Sequence, residues 1–74
     1  MNQRQLEAFH AVMLSGSVTA AAERLHLSQP AVSRLIGDLE RSVGFRLFQR
    51  TKGSPLRATP EAESLHLEVE RSFL

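Results

Sequence analysis

The stretch Leu25–Glu40, LHLSQPAVSRLIGDLE, decides the fold. Ser28 is a good N-cap, because its hydroxyl accepts a bond from an orphan amide of the first helical turn. Pro30 suits an early helical position that needs no backbone donor. From there Val32, Leu35, Ile36, Leu39 and Val43 recur at i, i+3, i+4, i+7 and i+11, the spacing of one buried helical face. The opposite face carries Gln29, Pro30, Ser33, Arg34, Gly37 and Arg41. An ordinary solvated face holds more Glu and Lys and fewer small groups, so this one is suited to close approach by another molecule.

Working upstream, Ser17 caps a short helix whose Val18, Ala21, Ala22 and Leu25 again share a side. His26-Leu27 is a tight connection into the Ser28 cap, and two helices joined this closely are a helix-turn-helix. The run Ala20-Ala21-Ala22 permits close packing at that corner. Before it, Leu6, Phe9, Val12 and Met13 share a face of a first helix, which Ser15-Gly16-Ser17 ends.

Working downstream, Gly44 closes the long helix. In FRLFQRTKGSPLRATP the apolar Phe45, Leu47 and Phe48 are expected to return to the core. Lys52-Gly53-Ser54-Pro55 is a turn between short strands expected near Gln49 to Thr51 and Leu56 to Ala58. Thr59 caps a last helix with Pro60 first and Glu61 and Glu63 near its positive end. Ala62, Leu65, Val69 and Phe73 run along one side of it. The predicted class is mainly α: a winged helix-turn-helix over 1–58 with a small β-hairpin wing, then the start of a C-terminal linker helix over 59–74. That helix is still running where the sequence stops, which predicts an N-terminal piece of a longer protein.

Composition narrows the functions available. A 74-residue chain is one domain, and a core this small is marginal without disulfides, metal or a partner subunit. With no cysteine there is no disulfide framework and no thiolate zinc site. His10, His26 and His66 are too far apart in sequence for a local metal motif and are read as surface or boundary residues; no metal and no cofactor is expected. No apolar run approaches the roughly 18 residues of a membrane span, and MNQRQLEAFH is too polar for a signal peptide, so a soluble cytoplasmic protein is expected. The net charge of +1 conceals an asymmetry: Arg24 to Arg57 holds seven bases against two acids, while Ala58 to Leu74 holds four acids against one base. An anionic partner for the middle of the chain follows.

DNA's major groove admits an α-helix, and a helix-turn-helix lets the start of its second helix meet base edges. Gln29 suits adenine and Arg34 suits guanine, while Pro30 and Ala31 can touch a thymine methyl without holding the backbone away. Ser33 and the capped amides at Ser28 and Gln29 suit phosphate or sugar. Arg50, Thr51 and Lys52 on the wing either straddle a phosphate backbone or enter the minor groove. Thr19 is either a phosphate contact or a second capping group.

These residues resemble a family. AFHAVMLSGSVTAAAERLHLSQPAVSRLIGDLE followed by GFRLFQRT is similar, over nearly the whole chain, to the DNA-binding domain of LysR-type bacterial transcriptional regulators. SVTAAAERL, SQPAVSR and LFQRT occur in that family's order and spacing. The resemblance implies a winged helix-turn-helix, a linker helix that pairs two subunits, and a further domain that binds a small effector. It places Gln29, Pro30, Ser33 and Arg34 toward the major groove and Arg50 to Lys52 in the wing. AFHAVMLSGS with EVERSF is similar to the branch that holds the lysine-biosynthesis and opine-responsive regulators, which implies an amino-acid-like effector. Two positions depart from the pattern. Gly37 stands where a larger, often basic residue is usual, so it either makes no contact or marks a close backbone approach. Ala62 replaces a usual glycine and favours the helix.

The expected partners are therefore double-stranded DNA bearing a pseudo-palindrome and a second copy paired through Ala62, Leu65, Val69 and Phe73, with Glu61, Glu63, Glu68 and Glu70 mostly facing solvent. A protein assembly module on the same fold is the competing class, and only phosphate neutralisation gives a steep dependence of affinity on salt. An enzyme is not expected. Asp38 and Glu40 diverge on a helix, and neither G-x-S-x-G nor a P-loop is present.

Overall fold

The computed structural model describes residues 1–49, 53 and 55–73. Its elements run α1 (Gln3–Ser15), α2 (Val18–Leu25), α3 (Gln29–Val43), β1 (Phe48–Gln49), β2 (Arg57–Ala58) and α4 (Pro60–Phe73). This is the predicted winged helix-turn-helix with a following helix. Among the described residues the first strand begins one residue earlier than the sequence predicts and the second one residue later, and they pair antiparallel as Phe48↔Ala58 and Gln49↔Arg57.

Each helix boundary has a local cause. Asn2 and Gln5 form a reciprocal cap: the Asn2 side chain accepts from the Gln5 amide at 2.9 Å, and the Gln5 side chain from the Asn2 amide at 3.1 Å. Gly16 and Gly44 end α1 and α3 at φ of 78° and 85°, a conformation that costs glycine nothing. The same left-handed stop after α2 falls on His26, at φ 57° and ψ 41°. His26 and Leu27 amides return to the Ala22 carbonyl there, the latter at 2.9 Å. That closure is what makes the turn into α3 so short.

Packing follows from these stops. α1 lies against both α2 and α3, and α4 packs back on α1 and β2. Phe9 is fully buried at the junction, its ring 5.9 Å from that of Phe48 and 6.2 Å from that of His66. Burying one such ring contributes about 1.5–3 kcal/mol. Ala21 and Ala22 are buried at the helix-turn-helix corner, where a small side chain lets helix axes approach. Val32, Ile36 and Leu39 are buried along α3, with Leu35 and Val43 partly covered.

One expectation is corrected. Leu47 and Phe48 do enter the core, but Phe45 is 38% exposed. It directly follows the left-handed Gly44, whereas Leu47 and Phe48 are drawn inward by bonds from their amides to the Glu40 carboxylate. The stripe on α4 expected to pair two copies is partly covered within one chain. Ala62 and Val69 are 0% and 3% exposed within a single chain, where their side chains join the core cluster. Leu65 is half-buried, and the side chain of Phe73 lies outside the described residues. The stripe is apolar because it covers α1 and the hairpin. Glu61, Glu63, Glu68 and Glu70 are exposed, as predicted.

Candidate nucleic-acid interface

The exposed side of α3 begins at a capped N-terminus. Ser28 Oγ accepts from the Ala31 amide at 3.2 Å with its own backbone extended, and Pro30 occupies the first turn. The helix therefore starts abruptly, with its positive dipole end open to solvent. Gln29, Pro30 and Arg34 are exposed and Ala31 and Ser33 half-exposed, all within the first turn and a half. Among the described residues, the side chains of Gln29, Ser33 and Arg34 make no hydrogen bond or ion pair within the chain. A face of uncommitted donors and acceptors over small side chains is suited to reading base edges.

Further along, Arg41 is paired with Asp38 through its guanidinium, so one positive charge near the end of α3 is partly answered from within. Gly37 lies one turn before Arg41 on the same face of α3. A Cβ built there meets only Arg41 Nη1 at 3.7 Å. No packing inside the chain therefore demands glycine at this position.

Thr19 has one of its two expected roles removed. The cap of α2 is Ser17, whose Oγ accepts from the Ala20 amide at 3.0 Å. Thr19 is exposed one residue into the helix, and among the described residues its hydroxyl has no partner within the chain.

The hairpin is fixed to α3 by a residue whose role the sequence does not advertise. Glu40 Oε2 accepts from the Leu47 amide at 2.7 Å and, more weakly, from the Phe48 amide at 3.4 Å. It thus ties the end of α3 to the first strand of the wing. Thr59 anchors the other strand: its hydroxyl donates to the Arg46 carbonyl at 2.7 Å and accepts from the Ala62 amide at 3.1 Å. A helical pattern shows Glu40 as one more polar position, because its partners lie seven and eight residues away across a turn. Exposed Arg24, Arg34, Arg46 and Arg57 carry the positive charge of this half. Arg50, Thr51 and Lys52, the expected wing contacts, lie outside the described residues.

Away from this face, His10 and His66, distant in sequence, are brought together between α1 and α4, while His26 stays exposed. No helix of the described residues is long and apolar enough to cross a membrane.

Comparison with known proteins agrees with this geometry. Residues 3–63 match the family model for bacterial regulatory helix-turn-helix proteins of the lysR family. The chain is 53% identical over 74 residues to the octopine catabolism/uptake operon regulatory protein OccR of Rhizobium meliloti, covering 100% of this chain and 25% of that protein. It is 55% identical over 73 residues to the regulatory protein NocR of Agrobacterium fabrum (strain C58 / ATCC 33970), covering 99% and 24%. It thus spans about a quarter of the length of these relatives. Among solved structures, the DNA-binding domain of CbnR in complex with DNA superposes with a TM-score of 0.91 at 34% identity, covering 99% of this chain and 83% of that one.

Proposed function

Since the chain belongs to the lysR family of bacterial regulatory helix-turn-helix proteins, we propose that it binds double-stranded DNA sequence-specifically, α3 reading the major groove and the hairpin following the backbone or minor groove. The observation that carries this reading is the uncommitted face of Gln29, Pro30, Ala31, Ser33 and Arg34 at the capped start of α3. α3 has 15 residues and is therefore about 22 Å long, enough to cross the roughly 12 Å major groove. Thr19, Ser28, Arg50, Thr51 and Lys52 supply backbone contacts, which position the helix without reading sequence.

Selection of bound duplexes from a random pool, followed by substitution, tests it. Arg34→Ala weakens specific binding by about 1–3 kcal/mol and relaxes preference at one base position. Gln29→Ala does the same at a neighbouring position. Equal loss on specific and random DNA would make either residue a phosphate contact. An affinity insensitive to salt would refute DNA binding altogether.

The partner on DNA is a second copy, which sets two α3 helices on a pseudo-palindrome with half-sites about one helical turn, or a multiple of it, apart. With Ala62 and Val69 committed to the core, the pairing surface consists of Leu67, 63% exposed, and the groove of about 360 Å³ lined by Phe45, Glu61, Ser64, Leu65 and Glu68. Leu67→Glu leaves the domain folded and lowers its dimer fraction in sedimentation; an unchanged fraction would move the interface elsewhere. The whole protein is a transcriptional regulator, and a small-molecule effector acts through a part of it outside this chain.

A further inference from the structure

We propose that His10, His66 and Glu70 form a binding site for a zinc-class divalent ion that fastens α1 to α4. One possible ligand atom of each residue lies within 4.8 Å of those of the other two. The Glu70 carboxylate oxygen is 3.8 Å from Nε2 of His10 and 3.8 Å from Nε2 of His66. Four-coordinate zinc with ligands at 2.0–2.1 Å holds its donors about 3.3 Å apart, so each carboxylate–imidazole pair closes by about half an ångström. His66 and Glu70 are four apart on α4 and share its face. His10 comes from α1 and completes a set of two imidazoles and one carboxylate, a donor set zinc uses with a water in the fourth position.

Hydrogen bonding within the cluster does not account for the arrangement. Both nitrogen–oxygen separations exceed hydrogen-bond length, and a single carboxylate stands between two rings whose centroids are 5.3 Å apart. Nε2 of His66 is buried and has no hydrogen-bond partner among the described residues. The Phe9 ring meets the His66 ring edge to face at 87° and limits how far it can turn. A coordinated cation gives that nitrogen the partner it lacks and draws in Glu70, whose side chain is 46% exposed and free to adjust. The side chains of His10 and His66 are 21% and 18% exposed, so the cluster lies at the edge of the core.

Titration calorimetry of the chain with Zn²⁺, in a buffer that does not chelate, tests the site. The expected result is one ion per chain, with thermal unfolding moving to higher temperature as Zn²⁺ is added. His10→Gln and Glu70→Gln each weaken binding at least about tenfold, since losing even an outer partner of a zinc ligand costs that much. His26→Gln, which alters a solvent-exposed histidine outside the cluster, leaves binding unchanged. Circular dichroism verifies that each variant is folded, and Zn²⁺ shifts the imidazole resonances of His10 and His66 but not of His26. Absence of saturable binding, equal loss in His26→Gln, or full binding by both cluster variants would overturn the proposal.

Discussion

Replacing Glu40 with alanine separates a structural carboxylate from an ordinary helix-surface acid. In the folded chain Glu40 Oε2 holds the Leu47 amide at 2.7 Å, part-buried, and the Phe48 amide at 3.4 Å. A hydrogen bond to an ionised acceptor contributes about 1.5–3 kcal/mol net, while the longer contact adds little. Alanine returns a few tenths of a kcal/mol in helix propensity. The expected destabilisation is about 2 kcal/mol. In urea, where a small domain has a slope near 1 kcal/mol/M, the midpoint falls by about 2 M; thermally, about 8–16 °C is lost. Glu40→Gln keeps an acceptor oxygen and gives up only the charge, so about half the loss is expected. Glu23→Ala, an exposed acid on α2, stays within about 0.5 kcal/mol of the parent. If Glu40→Ala also stayed within that margin, the carboxylate would not be what holds the hairpin to α3. Because the wing is then free to swing, Glu40→Ala also weakens binding to all DNA sequences more than it changes preference among them.

Three further substitutions test other parts of the fold. Gly37→Ala raises stability by about 0.5–1 kcal/mol, since the added Cβ meets only Arg41 at 3.7 Å; a loss of DNA affinity in that more stable variant would identify a close approach of DNA to the Gly37 backbone. Gly16→Ala lowers the urea midpoint by the equivalent of about 1–2 kcal/mol from backbone conformation alone, because φ is 78° and nothing lies within 4 Å of the new methyl. Val69→Ala, assayed by thermal melting at two protein concentrations, costs about 2 kcal/mol, and the loss is the same at both; a concentration-dependent loss would return Val69 to a subunit interface.

The helix-turn-helix was legible because its signals are local: a serine cap, a proline in the first turn and an apolar repeat all point the same way within Leu25 to Val43. The uncommitted face of α3 was legible for the complementary reason, since Gln29, Ser33 and Arg34 break the pattern of a solvated helix. What the sequence did not disclose depends on contacts between distant residues. The repeat on α4 marks Ala62 and Val69 as buried, but periodicity is silent about whether the burying surface belongs to the same chain. Glu40 bonds backbone amides across the Gly44 turn, and backbone donors leave no trace in residue identity. His10 and His66 are 56 positions apart and meet only because α4 folds back over α1. Phe45 was expected inside on hydrophobicity alone, which does not register that the turn ahead of it reverses the chain.

The Thr59 hydroxyl gives α4 a direction. By bonding the Arg46 carbonyl and the Ala62 amide together, it joins the first turn of the helix to the base of the hairpin, while the Thr59 amide is held by the Leu47 carbonyl at 3.0 Å. The helix cannot fray from its N-terminal end unless the hairpin opens with it, so unravelling proceeds from the other end toward Thr59. Amide protons along α4 should therefore exchange with solvent in a gradient, slowest at Ala62 and Glu63 and faster toward Ser72. The amides of Leu47 and Thr59 should exchange at the rate of the slow end, as members of one cooperative opening unit.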